Sequence, residues 1–390
     1  MFRRLRTPPP VVATPPRTGD GPRLGGVFIA VAVLLTGLLA GTERPAGTLV
    51  EPWIDTSNRD AVAVAWAIER SRETPEMAWS GSYGACRAGD ASLALAGATI
   101  GRVNFYRGLA GVPATVRLSE EYSAKAQHAA LTMSATGRLS HAPDDSFDCL
   151  DATGREAAAN SNLYLGRIGP AAIDGYIEDP GERNRDVGHR NTILHPPTTE
   201  MGVGHVAGSR DSYPANALWV FDDGVFDEPP PVREADGFVA WPPRGYVPGE
   251  VVHPRWSFGL AGADFDRATV GMTVDGHDVA LDVVTRHSLA GYVPAPIVVW
   301  EPDASASGEA AALATALTGD SWPAGRTADL DVEVRVDGVV IDGTERSYTY
   351  RISVMAPDRT GPGGVLIDTA LQGAARAATL LATAVPILAG

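Results

Sequence analysis

Cysteine, lysine and aromatic residues are scarce in this chain. Among 390 residues there are two cysteines, Cys86 and Cys149, one lysine, Lys125, and 7% aromatic residues. The cysteines do not form a C-x-x-C motif, which excludes a zinc ribbon or a thioredoxin-like redox motif. With a net charge of −15 and a pI near 4.9, the chain also lacks the clustered positive charge that nucleic-acid binding requires.

Self-sufficient catalytic motifs are absent as well. The sequence contains no H-E-x-x-H metalloprotease motif, no P-loop, no G-x-S-x-G nucleophile elbow and no EF-hand loop. Any chemistry must therefore come from residues that the fold brings together.

The N-terminal part has the pattern of a targeting segment. Residues 1–24 form a basic, Pro-rich arm that we expect to be disordered and cytoplasmic. The uncharged apolar stretch Gly25–Gly41 then approaches the length of a membrane span, and the arginines before it place the bulk of the chain outside the cell. We favour an uncleaved anchor in the cell membrane, because the arm is long and no A-x-A site follows. A cleaved signal segment, which would make the protein secreted, is the alternative.

If the chain is exported, its two cysteines are expected to be oxidised. A lone pair in an exported chain usually forms one disulfide, so we predict a Cys86–Cys149 bond, with two separate buried thiols as the alternative.

The middle of the chain mixes helices and strands. Residues 42–85 read as a linker with one short helix, Asp60–Glu73, and residues 86–228 as a domain. Helix and strand patterns in that domain follow in this order: a helix over Leu93–Leu109 that stops at Gly111-Val-Pro113, a helix capped by Ser119 that stops at Gly137, a helix that begins at Gly169-Pro170, and two paired strands, Glu200–Val206 and Ala217–Phe221.

The remainder has strand periodicity. After the stiff linker Asp227–Pro231, alternating apolar runs predict hairpins around Asp275-Gly276 and Asp337-Gly338. The spacing predicts an immunoglobulin-like β-sandwich over residues 232–357, followed by a tail at 358–390. The fold class is therefore α+β.

Two of the eight histidines are candidates for a site. His128, His195 and His205 have the character of ordinary hydrogen-bonded residues, whereas His141 and His189 each lie on a turn after a helix. Both also belong to a set of segments that occur in a fixed order: "VNFYRGLAGVP", "AKAQHAALTMSATGRLSH", "NSNLYLG", "DPGERNRDVGHRNTIL" and "EMGVGHV".

Together these segments, over roughly residues 90–225, resemble the superfamily of cysteine-rich secretory, antigen 5 and pathogenesis-related proteins (CAP), in its bacterial extracellular, sperm-coating-protein-like branch. The resemblance implies a three-layer α-β-α sandwich with a shallow cavity. In the family this cavity carries two histidines and two acidic residues, and in some members the histidines bind zinc or another divalent ion.

The resemblance carries over residue by residue. His141 matches the first cavity histidine and His189 the second. Ser161 stands where the family has a glutamate, and Glu156 is the nearest candidate to replace it. Asp174 and Glu178 lie near the second acidic position without clear register, and residues Glu182–Asp186 are an insertion before His189. Asn104 and Arg107 match a family N-x-x-R step, which we assign to structure.

These residues leave three hypotheses for function. The preferred one is an exported, membrane-anchored protein with a non-enzymatic role, whose cavity binds a lipid, glycan or protein ligand at the cell envelope, with a weak divalent metal site such as zinc at His141 and His189. The second is a secreted metal-dependent hydrolase in which Glu156 is the general base. The third is a structural surface module whose histidines only fix loops.

Overall fold

The structure is a computed structural model that describes residues 53–209, 211–287, 295–303, 314–318, 322 and 326–356. The predicted N-terminal arm, the Gly25–Gly41 segment and the 358–390 tail lie outside these ranges. Within them, no helix is both long enough and apolar enough to cross a membrane.

Helices dominate the first half of the described chain, and strands the second half. The helices are α1 (Arg59–Ser71), α2 (Leu93–Ala110), α3 (Glu120–Thr136), α4 (Ala152–Ala159), α5 (Pro170–Glu178) and α6 (Gly188–Ile193). The strands are β1 (Arg117–Leu118), β2 (Ser161–Leu165), β3 (Glu200–Val206), β4 (Ala215–Trp219), β5 (Val239–Trp241), β6 (Gly245–Pro248), β7 (Trp256–Gly259), β8 (Ala263–Asp264), β9 (Thr269–Val274), β10 (His277–Asp278), β11 (Leu281–His287), β12 (Ile297–Pro302), β13 (Leu330–Ile341) and β14 (Thr344–Met355).

Local capping explains where the long helices begin and end. Ser119 caps α3 by accepting a hydrogen bond from the Tyr122 N–H. Gly111 and Gly137 end α2 and α3 in the left-handed conformation, which glycine adopts without steric cost. Pro170 occupies the first position of α5. The predicted helix boundaries are thus confirmed to within one or two residues.

The central domain is the predicted three-layer sandwich. Its sheet has the strand order β1-β3-β4-β2, with β1 parallel to β3 and the other pairs antiparallel. One face packs on α3 and α4 through an alanine-rich core, and the opposite face packs on α2 and α5. Helix α3 lies so close to β3 that a Cβ on Gly202 or Gly204 would come within 2.4 Å of the helix backbone or Tyr122. These two glycines therefore allow the layers to make contact.

The C-terminal region is a two-sheet β-sandwich. One sheet has the order β10-β9-β13-β14-β6, with β8 also paired to β13, and the second has the order β11-β12-β7-β5. Aromatic rings from the two sheets meet between them, and Phe258 on β7 lies 5.2 Å from Tyr348 on β14, centroid to centroid. The α+β fold class is confirmed, although the β6–β14 edge pair of the sandwich is parallel.

The predicted hairpin at Asp337-Gly338 is wrong. Residues Leu330–Ile341 form one continuous strand, in which Gly338, at φ 73°, lies at a register shift in the pairing with β14. The turn falls at Asp342-Gly343, where both residues have positive φ. At Asp275-Gly276 a hairpin does form, but it is short, because the chain then crosses to β11 in the other sheet.

The central domain and the sandwich share a continuous core within one compact unit. Tyr106 on α2 packs edge-on against Trp241 on β5, with ring centroids 5.4 Å apart. Helix α1 is held to the sandwich by the ion pair between Arg59 and Asp329, which is 2.7 Å long. The segment before the central domain is therefore tied into the same unit.

The predicted disulfide is confirmed. Cys86 and Cys149 are bonded, with their Cα atoms 5.0 Å apart. The bond joins the loop before α2 to the segment that leads into α4.

Candidate functional site

His141 follows the end of α3 and lies at the exposed rim of a cavity. Its Nδ1 is 3.0 Å from the carbonyl oxygen of Ala158 in α4. Because a carbonyl only accepts, Nδ1 carries the proton and Nε2 of the neutral ring keeps a lone pair. The ring is thereby fixed in one tautomer.

His189 is the second residue of α6 and has a stronger partner. Its Nδ1 lies 2.7 Å from Oδ1 of Asp179, and its backbone N–H donates to Oδ2 of the same carboxylate at 3.0 Å. Asp179 is fully buried, whereas the His189 side chain is 21% exposed. One carboxylate thus fixes both the ring and the backbone of His189, and Nε2 is the ring nitrogen left for a ligand.

Asp179 is the functional residue that the sequence patterns missed. It ends α5 in the left-handed conformation, with φ 53°, and this turn directs its carboxylate back toward the start of α6. In the sequence it stands in Asp179-Pro180-Gly181, a triplet that by itself indicates only the end of a helix. A carboxylate ten residues before a candidate histidine was the available clue.

The pKa values of the two rings are shifted in opposite directions. Burial lowers the pKa of His141, and the nearby His189 lowers it further against the effect of the Ala158 carbonyl. Burial alone would also lower the pKa of His189, but the charge and hydrogen bond of Asp179 outweigh it and raise that pKa above its usual value. At neutral pH, His141 is therefore neutral, and His189 gains a proton first on acidification.

The rings lie close enough to act on one ligand. Their centroids are 6.4 Å apart. They face a cavity of about 720 Å³, within the range of ordinary small-molecule sites. Apolar and aromatic side chains line much of it, among them Leu139, Tyr164 and Phe221.

The expected acidic partners are not at the cavity. Glu156 is exposed on α4 and paired with Lys125 at 3.0 Å, so the structure does not bring it to the histidines. Asp174 instead accepts hydrogen bonds from Arg102 and Tyr106, and Glu178 pairs with Arg167. Ser161 does line the cavity, and its buried hydroxyl has no hydrogen-bond partner among the described residues.

Three other histidines have the structural roles predicted for them. His128 pairs with Asp151 at the start of α4. His205 lies between Thr99 and Asn216, where burial lowers its pKa to about 3.

His195 donates from Nε2 to the Val225 carbonyl, and burial lowers its pKa to about 4.

Arg107 is also structural, as predicted: it is fully buried and donates to backbone carbonyls of residues 113, 193, 195, 196 and 198. Asn104 likewise exchanges hydrogen bonds with the backbone of Val116.

The β-sandwich holds the loop that carries Asp179. Arg255, just before β7, donates from Nη1 to the carbonyls of Asp179, Gly181 and Asn184 at 2.8–3.0 Å. In the other direction, Arg190 of α6 donates to the Arg255 carbonyl at 2.8 Å. One wall of the cavity is therefore fixed by residues outside the central domain, which no pattern in the sequence predicted.

The donor set can be tested against a metal ion. Histidines that ligate metals usually donate their second ring nitrogen to a carboxylate or carbonyl, and His189 and His141 both do so. In the part of the chain that is described, however, no group of three or more His, Cys, Asp or Glu side chains could hold a metal ion. Two imidazoles fit an exchangeable ion that water or a ligand completes, and do not fit a closed structural zinc site.

Comparison with known proteins adds the family. A search of curated proteins and a search of solved structures each found no match. The model of the cysteine-rich secretory protein family (CAP) matches residues 100–222, which run from α2 to just beyond β4 and include both cavity histidines. This part of the chain is therefore a CAP domain.

Proposed function

We propose that the CAP domain binds a ligand in the cavity between His141 and His189, without catalysing a reaction. The observation that carries the proposal is the pair of pre-oriented rings, whose Nδ1 atoms are occupied and whose Nε2 atoms have no partner among the described residues. Such preorganisation reduces the ordering cost of binding.

A weak divalent metal site is part of this proposal. His141 and His189 would hold the ion through their Nε2 atoms. Because zinc–nitrogen bonds are about 2.0–2.1 Å long, the two rings, whose centroids are 6.4 Å apart, would have to move toward each other on binding. The described residues offer this ion no group of three or more His, Cys, Asp or Glu ligands, so it would exchange readily and a bound ligand would supply further donors.

The hydrolase alternative is less well supported. It requires a general base within hydrogen-bond reach of a metal-bound water. Glu156, which was to supply that base, pairs with Lys125 away from the cavity. Asp179, a carboxylate that lines the cavity, is already engaged by His189 and the α6 backbone.

The proposal also covers where in the cell this site lies. The Gly25–Gly41 segment would anchor the protein in the cell membrane, with the CAP domain and β-sandwich outside, where a lipid, glycan or protein of the envelope is the ligand. Protease treatment of intact cells tests this arrangement, because the folded region should be cleaved only if it is exposed outside. Protection from the protease until the cells are lysed would contradict it.

Calorimetric titration of the full chain with zinc chloride tests the metal site. We expect weak uptake that each of His141→Ala and His189→Ala reduces about tenfold or more, since even outer-shell changes reach that size. Uptake should also fall on acidification, because protonated His189 has no lone pair to donate.

His277→Ala is the matched control, because His277 is exposed on β10 of the sandwich. Equal affinity in all four proteins would place zinc elsewhere. An absence of uptake by the parent protein would remove the metal from the proposal.

A further inference from the structure

Strand β2 forms one edge of the CAP sheet, and its free edge opens on the cavity. Among the described strands it pairs only with β4, and bonds between Val220 N and Asn160 O and between Gly166 N and Pro214 O flank the ladder. In an antiparallel pair such bonds recur at every second residue. The even-numbered residues therefore bond to β4, and the N–H and C=O groups of Ser161, Leu163 and Leu165 point the other way.

These outward groups are unpaired. Within the described ranges, none of the three residues has a backbone hydrogen bond on that side, although all three line the cavity. Ser161 and Leu163 are nevertheless only 3% and 4% exposed, and the Ser161 hydroxyl also lacks a partner there. With no protein partner among the described residues, this row of donors and acceptors is available to hydrogen-bond a ligand that enters the cavity.

The two helical layers frame this edge. His141 is bound to α4 on one face of the sheet, and His189 packs against Tyr176 of α5 on the other, with ring centroids 5.3 Å apart. Because the two histidines are only 6.4 Å apart, they approach each other just beyond the last strand. The cavity therefore occupies the position of a further strand between the layers.

We propose that the ligand is an extended peptide segment of a partner protein, which adds to β2 as a further strand. This inference rests on the proposed function and names its ligand class. Donors and acceptors alternate along the free edge, and an extended peptide matches them at the same repeat of about 3.3 Å per residue. A hydrocarbon chain would leave every one of these groups unpaired, and a metal ion would engage only the histidines.

Selection from random hexapeptides displayed on phage, against the immobilised full chain, supplies the probe. Enriched sequences are then synthesised with acetylated and amidated ends, so that terminal charges play no part. On adding such a peptide to the ¹⁵N-labelled protein, the amides of Ser161, Leu163 and Leu165 should shift and exchange more slowly with solvent. Those of Asn162 and Tyr164, already bonded to β4, should change little.

N-methylation of the peptide gives a sharper test. Methylating alternate amides in the register that faces β2 should weaken binding about tenfold or more, since each methyl removes a donor. Methylation in the opposite register should change affinity by about twofold or less. Equal sensitivity in both registers would overturn the strand-addition geometry.

A variant of the edge itself completes the design. Leu165→Pro removes an outward N–H without touching the bonds to β4, because proline is tolerated on the free side of an edge strand. It should weaken binding several-fold, and Leu165→Val, which keeps the N–H, should not. If Leu165→Pro does not fold, the methylated peptides still decide the question.

The outcome also separates this inference from the proposed function. Zinc uptake with no enriched peptide would overturn the peptide and leave the metal-binding cavity. Peptide binding without zinc would support the ligand class and remove the metal. Failure of both would end both proposals.

Discussion

Replacing Arg255 with methionine should loosen the cavity wall from a distance. The Arg255 side chain belongs to the β-sandwich, yet its Nη1 donates to three carbonyls of the loop that carries Asp179. Methionine keeps much of the apolar stem and removes all of these bonds. Asp179 would then lose part of what holds its left-handed turn, and with it the fixed contact to His189.

The expected magnitude follows from the geometry. Nη1 has two hydrogens for three carbonyls, which amounts to two full charged hydrogen bonds of about 1.5–3 kcal/mol each. The ion pair with Glu301, whose side chain is 36% exposed, adds at most about 1 kcal/mol. The free energy of unfolding should therefore fall by about 3–7 kcal/mol, and the pKa of His189 should move down toward its usual value.

Two measurements check this. Urea unfolding followed by tryptophan fluorescence gives the stability, and an NMR titration of the imidazole resonances gives the pKa of His189. Arg351→Met is the matched control, because that side chain is 84% exposed beside Glu333 and should cost about 0.5 kcal/mol or less. A loss no larger than the control, with an unchanged His189 titration, would refute the role assigned to Arg255.

Three further predictions concern charge and covalent links. His205 has a folded pKa of about 3, below its unfolded value, so its contribution to the free energy of unfolding is present above about pH 6.5 and is lost as the pH falls. His205→Gln should therefore flatten the decline in unfolding free energy between about pH 6.5 and 4. The raised pKa of His189 gives the opposite pH dependence. Its contribution to the free energy of unfolding is full below about pH 6.5 and is lost at higher pH. Asp179→Asn should therefore destabilise the protein more at pH 5.5 than at pH 9, in urea titrations at both pH values. Replacing Cys86 and Cys149 with serine should cost about 2–4 kcal/mol in the same assay, because the bond closes a loop with a sequence separation of 63; no change would mean that the unfolded chain is not restricted by it.

Elements fixed by neighbouring residues were predictable from sequence. The boundaries of α2, α3 and α5 follow from Gly111, Ser119 and Pro170, whose preferences act within one helical turn. The strand over Thr344–Met355 was predictable for a similar reason, since its apolar residues alternate with the period of a half-buried strand. In these segments local preference and tertiary packing agree.

The hairpins of the sandwich show where local patterns stop being sufficient. Asp337-Gly338 and Asp342-Gly343 have the same two-residue turn composition, yet only the second is a turn. The difference comes from β9, which pairs with residues up to Asp337, and from β14, which continues to pair beyond the register shift. Those partners are distant in sequence, so no window around the glycine contains the information.

In the candidate site, too, some residues could be predicted from short sequence segments and others could not. His141 and His189 were found because each lies in a short segment with a family pattern, and Ser161 because it replaces a residue of that pattern. Glu156 was proposed from proximity along the chain, but the helical turn of α4 directs it to Lys125.

The residues that fix the geometry of His189 reach it through backbone groups. Asp179 acts on it through a left-handed turn, and Arg255 acts through three carbonyls of the segment between α5 and α6. Carbonyl acceptors leave no trace in the side-chain sequence, which is why these contacts could not be predicted. They also mean that a fragment ending at residue 228 would lack the Arg255 contacts that hold one wall of its cavity, so binding by the CAP domain must be measured on the whole chain.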